Sequence, residues 1–277
     1  NFTFITSYLR IISKSFSASM GSLETWHGGP MIACGMIIVI LLILYFLNKK
    51  IEKRNKIING VLLFVLASTF AIQALDLLFH GLTVPNCFDY RHAFIFVFFM
   101  ILIASESYFN LSKDKKDLKI TAIIMIMISI LIYFAKYKFN TSSFNISLIY
   151  SLLISLIIIF VLYKNKNIYK IILIITIIDL FINAMVSILT SVVPDMQYVS
   201  KYKKSIKETN YIVEKLKDYD SSFYRMEKTF DRSKNKGRLA INDSMIFDYN
   251  GISHFDSTTR SDVEELLEKF GFRRLLT

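Results

Sequence analysis

Six long apolar runs, separated by short polar loops, are what most constrains this chain. They span roughly Pro30–Leu47, Ile57–Leu78, His92–Leu111, Leu118–Phe134, Ile146–Tyr163 and Ile171–Val193, each rich in Ile, Leu, Phe and Val. A helix rises about 1.5 Å per residue, so about 20 apolar residues cross a hydrocarbon core about 30 Å thick. The three prolines, Pro30, Pro85 and Pro194, fall at or outside the run ends, and the nine glycines are too few to interrupt the runs strongly. A soluble bundle with six buried helices is the alternative, but six such runs in succession favour the membrane. The composition agrees: 53% of the 277 residues are hydrophobic, 20% are charged and the mean hydropathy is +0.45. Those values exclude intrinsic disorder, and two cysteines exclude a disulfide scaffold. With Cys34 inside a helical run, no Cys34–Cys87 disulfide is expected.

The formal charge is +11. Twelve basic residues lie in the loops after the first, third and fifth runs: Lys49, Lys50, Lys53, Arg54 and Lys56, then Lys113, Lys115, Lys116 and Lys119, then Lys164, Lys166 and Lys170. The alternate loops hold three, Arg91, Lys136 and Lys138. The positive-inside rule then makes the first set cytoplasmic and puts both ends of the chain outside. The charge is thus read as a topology signal, and no nucleic-acid partner is expected.

The expected fold is a mainly α membrane protein: residues 1–29 closing an outer loop, six transmembrane helices over 30–194, and a small extracytoplasmic α+β domain over 195–277. This last segment carries sixteen basic and fourteen acidic residues. Tyr198–Tyr219 has the spacing of an amphipathic helix. Ser222–Met226 and Met245–Tyr249 alternate and read as strands or loops. A last helix is expected from an N-cap at Ser261, with Glu264 completing a capping box, to a stop at Gly271.

Few residues carry obvious chemistry. Asp179, with Asn183 one turn on, sits near the middle of the sixth run, where a carboxylate costs about 2.5–3.5 kcal/mol and must face protein or water. It is either a polar contact between helices or part of a ligand path. Asp76 and His80 share a face near the outer end of the second run. With Asp89 and Arg91 of the next loop they form a candidate outer-surface cluster. It suits either acid–base work with phosphate binding or a salt-bridge knot that fixes the hairpin. Glu106 reads as interfacial. Asp218-Tyr219-Asp220 matches a metal-binding Asp-x-Asp pattern, a signal too short to carry weight. His254 and Asp256 lie in a polar loop that suits binding or a turn. No Walker loop, dinucleotide fingerprint or zinc ligand set is present.

Three stretches together resemble the YfhO family of bacterial multi-pass membrane proteins. They are Gly29-Pro-Met-Ile-Ala-Cys-Gly35; Phe79-His-Gly-Leu-Thr-Val-Pro85 leading to Phe88-Asp-Tyr-Arg91; and Tyr224-Arg-Met-Glu-Lys228 with Phe247-Asp-Tyr-Asn-Gly-Ile-Ser-His-Phe-Asp-Ser257. The resemblance implies a GT-C type glycosyltransferase of the cytoplasmic membrane in a Gram-positive bacterium. Its donor would be a polyprenyl-phosphate-linked sugar, its acceptor an anionic cell-wall polymer such as (lipo)teichoic acid, and its surroundings membrane lipid. It also implies that this is the C-terminal portion of a longer protein, with the catalytic acidic loop elsewhere. No cofactor is identified, and a divalent metal stays open. On this reading Arg91 and His80 stand near the carrier phosphate, and Arg225 and His254 on the acceptor side. The rivals are a transporter or flippase for a lipid-linked saccharide and a non-catalytic membrane scaffold.

Overall fold

The computed structural model describes residues 8–9, 11–16, 29–84, 90–111, 114–135, 144–164, 168–189, 199–219, 222–226, 243–251 and 261–269. The chain divides into two units, Asn1–Asp195 and Met196–Thr277.

All six apolar runs are helical in the first unit: α1 Met36–Leu47, α2 Lys53–Ala71 with α3 Gln73–Phe79, α4 Ala93–Phe109, α5 Lys115–Ala135, α6 Phe144–Lys164 and α7 Ile168–Ser187. The structure does not show the six full spans expected, however. Among the described residues, α5, α6 and α7 alone are long and apolar enough to cross a bilayer, with a fourth span if α2 and α3 count as one. The other two helices are short. At about 1.5 Å per residue, α1 is roughly 18 Å long and α4 roughly 25 Å. The α2–α3 pair bends by 98° at Ile72, whose φ of −120° and ψ of 109° are those of an extended residue. No proline or glycine causes this bend. Just before it, the Ser68 and Thr69 hydroxyls donate to the Phe64 and Leu66 carbonyls, a local competition that bends helices.

α1 is the centre of the bundle. It packs against α4, α5, α6 and α7, and Met36, Ile37, Val39, Ile40, Leu41, Leu44 and Tyr45 are buried around its circumference. A helix that is apolar on all sides belongs in such a place. Leu118, Met125 and Ile132 of α5 and Ile154, Ile158 and Leu162 of α6 complete its core. α5 and α6 lie against one another, with Ser147, Ser151 and Ser155 buried along α6. Small side chains of this kind let helices approach closely where no hydrophobic force separates lipid from protein. The opposite faces of α5–α7 expose Ile, Leu and Phe, as lipid contact requires.

The ends of the helices order the loops. The Asn48 amide, after α1, donates to the Asn110 carbonyl, after α4, at 2.7 Å. Lys115 lies over the Tyr163 ring, and Tyr108 packs edge-on to Tyr169. The C-terminal ends of α1, α4 and α6 therefore sit at one end of the bundle.

α1 begins late for a physical reason. Its N-cap, Gly35, takes φ 91° and ψ 142°, a region essentially closed to residues with a Cβ. The first free amide of α1 then points into the bundle, and Asp179, the twelfth residue of α7, receives it. Asp179 Oδ2 accepts from the Met36 N–H at 2.8 Å, and Oδ1 accepts from the Tyr150 hydroxyl at 3.0 Å. Asp179 is 1% exposed. A carboxylate at a helix N-terminus is favoured by the unsatisfied amides and by the helix dipole. Asp179 thus links α7 to the start of α1 and to α6. Asn183, one turn on, is half-buried.

In the second unit α8 spans Val199–Tyr219, close to the expected amphipathic helix, with α9 Asp243–Phe247 and α10 Ser261–Lys269. The α+β expectation is not met, because no strand is present among the described residues. Ser222–Met226 is non-helical chain, and the Met226 N–H donates to the Asn250 carbonyl at 2.9 Å. Met245–Tyr249 is the end of α9 and its turn. α8 and α9 pack together, tied by a Lys217–Asp248 ion pair at 3.0 Å. Ser261 is the first helical residue of α10, so the helix starts one place earlier than a cap at Ser261 would give; Gly271 lies outside the described residues.

Two substitutions test this account. Asp179→Ala removes both acceptors, leaves the Met36 amide buried without one, and should destabilise the detergent-solubilised protein by about 1–3 kcal/mol. Thermal unfolding followed by circular dichroism reads this, and an unchanged midpoint would contradict the capping role. Gly35→Ala should cost about 1–3 kcal/mol in the same assay. The cause would be conformation alone, since an added Cβ would meet Asp179 and Leu180 at 3.5 Å, an ordinary contact.

Candidate functional site

The 98° bend folds α3 back so that three elements converge: the end of α2, the whole of α3 and the turn that opens α4. α3 ends in a Schellman motif. The Leu82 N–H bonds to the Leu77 carbonyl at 2.8 Å while Gly81 takes φ 63° between them. This stop fixes His80 at the C-cap, one turn beyond Asp76.

Asp76 and His80 do come together, as their spacing predicts. Asp76 Oδ1 lies 3.5 Å from His80 Nδ1. The third member, His92, was not singled out in the sequence: its Nδ1 lies 3.7 Å from the same carboxylate oxygen. His92 is clamped between aromatic rings, stacked on Phe79 at 4.2 Å and on Phe70 at 4.9 Å. Both histidine side chains are 5% exposed and that of Asp76 is 11% exposed. One ligand-bearing atom from each of the three residues lies within 4.8 Å of the others.

The hydrogen bonds around the cluster fix its proton positions. The single Thr69 hydroxyl proton goes to the Leu66 carbonyl at 2.7 Å. Thr69 Oγ1 therefore accepts from His92 Nε2, also at 2.7 Å, and neutral His92 carries its proton on Nε2. The His80 Nδ1 contact is with the Asp76 main-chain carbonyl at 3.0 Å. A carbonyl only accepts, so neutral His80 carries its proton on Nδ1. The atoms left bare are Asp76 Oδ1, His80 Nε2 and His92 Nδ1. All three are buried without a hydrogen-bond partner among the described residues.

The remaining candidates are scattered. Arg91 is exposed in the turn before His92, and Asp89 lies outside the described residues. In the second unit the Arg225 guanidinium donates to the Gly251 carbonyl at 3.1 Å, so it holds a loop together; His254 and Asp256 lie outside the described residues. Asp218 closes the last turn of α8, and Asp220 of the Asp-x-Asp pattern is not described. Glu106 is half-buried near the end of α4, and Cys34 is a free thiol.

A bundle of apolar helices with lipid-facing exteriors defines a multi-pass membrane protein. The chain matches the family described as "Bacterial membrane protein YfhO" over residues 1–275, and it belongs to that family. Neither a curated protein nor a solved structure matches it.

The clamp on His92 generates a prediction. Phe79→Ala removes one face of the stack while leaving Asp76 and His80 in place. It should destabilise the protein by about 1–2 kcal/mol, less than truncation of a fully buried ring because Phe79 is 45% exposed. A loss below about 0.5 kcal/mol in thermal unfolding would mean that the stack does not position His92.

Proposed function

We propose that the chain takes part in transferring a sugar from a polyprenyl-phosphate carrier to an anionic cell-wall polymer such as (lipo)teichoic acid, on the outer side of the cytoplasmic membrane. The observation that supports this most is membership of the YfhO family over nearly the whole chain, because a glycosyltransferase role is what that family implies. The buried carboxylate and imidazoles at the α2–α3–α4 junction supply groups of the right chemistry, away from the loops that carry most of the basic residues.

In such a transfer an acceptor hydroxyl oxygen attacks the anomeric carbon and the bond from that carbon to the phosphate oxygen breaks. The carrier phosphate leaves with the electron pair, and the hydroxyl proton passes to a base. On this reading the exposed Arg91 pairs with the carrier phosphate, for which a guanidinium is suited by its forked donors, with His80 on the same carrier side. Arg225 and His254 belong to the polar unit that would meet the polymer. Against the transporter reading stands the use of Asp179: its two oxygens are already taken by the α1 amide and Tyr150, so the foremost intramembrane candidate for a polar path is occupied.

The test is complementation of a deletion strain. Native protein should restore polymer-bound sugar in cell walls, and transfer of radiolabelled sugar from polyprenyl phosphate in membrane vesicles. Arg91→Ala should lower that transfer roughly 10–100-fold, as expected for loss of a charged hydrogen bond worth about 1.5–3 kcal/mol. Wall sugar unchanged by the deletion would overturn the reading, as would full transfer by Arg91→Ala together with His80→Ala at normal protein levels.

A further inference from the structure

We propose that Asp76, His80 and His92 form a binding site for one divalent transition-metal ion of the zinc type. The inference does not rest on the transferase reading; it stands on the arrangement of lone pairs at the α2–α3–α4 junction.

Three buried atoms from separate positions, Asp76 Oδ1, His80 Nε2 and His92 Nδ1, have no hydrogen-bond partner among the described residues, and one ligand atom from each of these residues lies within 4.8 Å of the others. Asp76 Oδ1 and His92 Nδ1 stand 3.7 Å apart, beyond hydrogen-bond range even if a proton lay between them. Burying acceptors without donors is costly. A second proton on His92 would relieve at most one contact and would leave His80 Nε2 bare. One cation would satisfy all three atoms together. Tetrahedral coordination with bonds of about 2.0–2.1 Å places ligand atoms roughly 3.3 Å apart, so the Asp76–His92 pair needs to close by only about half an ångström.

The surroundings are those of a metal ligand set. In such sites the second ring nitrogen of each histidine donates to a fixed acceptor, which sets the tautomer and aims the free nitrogen at the ion. Here His92 Nε2 donates to Thr69 Oγ1, and Thr69 is in turn oriented by the Leu66 carbonyl. His80 Nδ1 donates to the Asp76 carbonyl. The Phe70 and Phe79 rings hold His92 from both faces, and the Gly81 turn holds His80. Two imidazoles and one carboxylate favour Zn²⁺ or Co²⁺ over Mg²⁺ and Ca²⁺, which prefer all-oxygen ligands. Three protein donors leave a fourth position for water or a ligand oxygen.

The test uses the whole chain, freed of any histidine tag, purified in detergent and stripped with chelator. Addition of Co²⁺ should produce the visible absorption bands of a tetrahedral nitrogen–oxygen site, saturating at one ion per chain, displaced by Zn²⁺ and unaffected by excess Mg²⁺. His92→Asn and His80→Gln should each abolish those bands. Thr69→Val leaves the ligands intact and should weaken Zn²⁺ binding about tenfold, the effect of losing an outer-shell partner. This third variant also serves if the histidine variants elute as aggregates. A stripped native chain that takes up neither ion would overturn the proposal. Bands that persist in both histidine variants would mark an adventitious ion only, and would overturn it too. Neither result bears on sugar transfer by the native protein, which the vesicle assay reads separately.

Discussion

The arrangement of the membrane unit depends on one contact, the bond from the Met36 amide to the Asp179 carboxylate. It joins the start of the central helix to the middle of the last apolar helix, across 143 residues of sequence. A helix that begins inside a bundle leaves free amides at membrane depth, where there is no bulk water to satisfy them. One acidic side chain, itself held by Tyr150, answers that demand. Because the carboxylate and the helix end each need the other, the axial position of α1 against α7 is fixed. The packing of α1 against α4, α5 and α6 then follows from its all-round apolar surface.

The bend at Ile72 has the complementary effect. A straight α2–α3 helix would carry Asp76 and His80 onward along its own axis. The fold-back brings them beside the turn that opens α4, so that His92 meets them. The polar cluster is thus produced by backbone geometry, and its walls are the aromatic residues Phe70 and Phe79. A buried carboxylate between two imidazoles is costly unless something compensates it, which is why the atoms with no partner are the most informative in the unit.

Much of this was legible in the sequence. Hydrophobic length located every apolar helix, and the amphipathic pattern located α8. The lone carboxylate at Asp179 marked a group that must face protein or water because of its cost in lipid, and left open which. The i, i+4 spacing of Asp76 and His80 put them on one face. What the sequence did not disclose were relations between distant parts. Nothing near Asp179 says that its partner is a main-chain amide in another helix, or that α1 starts only after Gly35. The Ile72 break carries no proline or glycine, and without it the approach of His92 is invisible. The single available hint was a histidine at the mouth of an apolar helix, next to Arg91. Met245–Tyr249 alternates like a strand, yet five residues from Asp243 close a helical turn because a run that short has no strand beside it to pair with among the described residues.

The separation between α1 and its cap also bears on how the protein is made. Chains are synthesised at about 5–20 residues per second, so about 7–30 seconds separate the emergence of Met36 from that of Asp179. Throughout that interval the start of α1 has no acceptor, and a helix of roughly 18 Å is too short to rest across a bilayer by itself. α1 therefore leaves the ribosome before α5, α6 and α7 yet reaches its final state only after α7 has emerged. Its place in the membrane unit is completed by the arrival of Asp179.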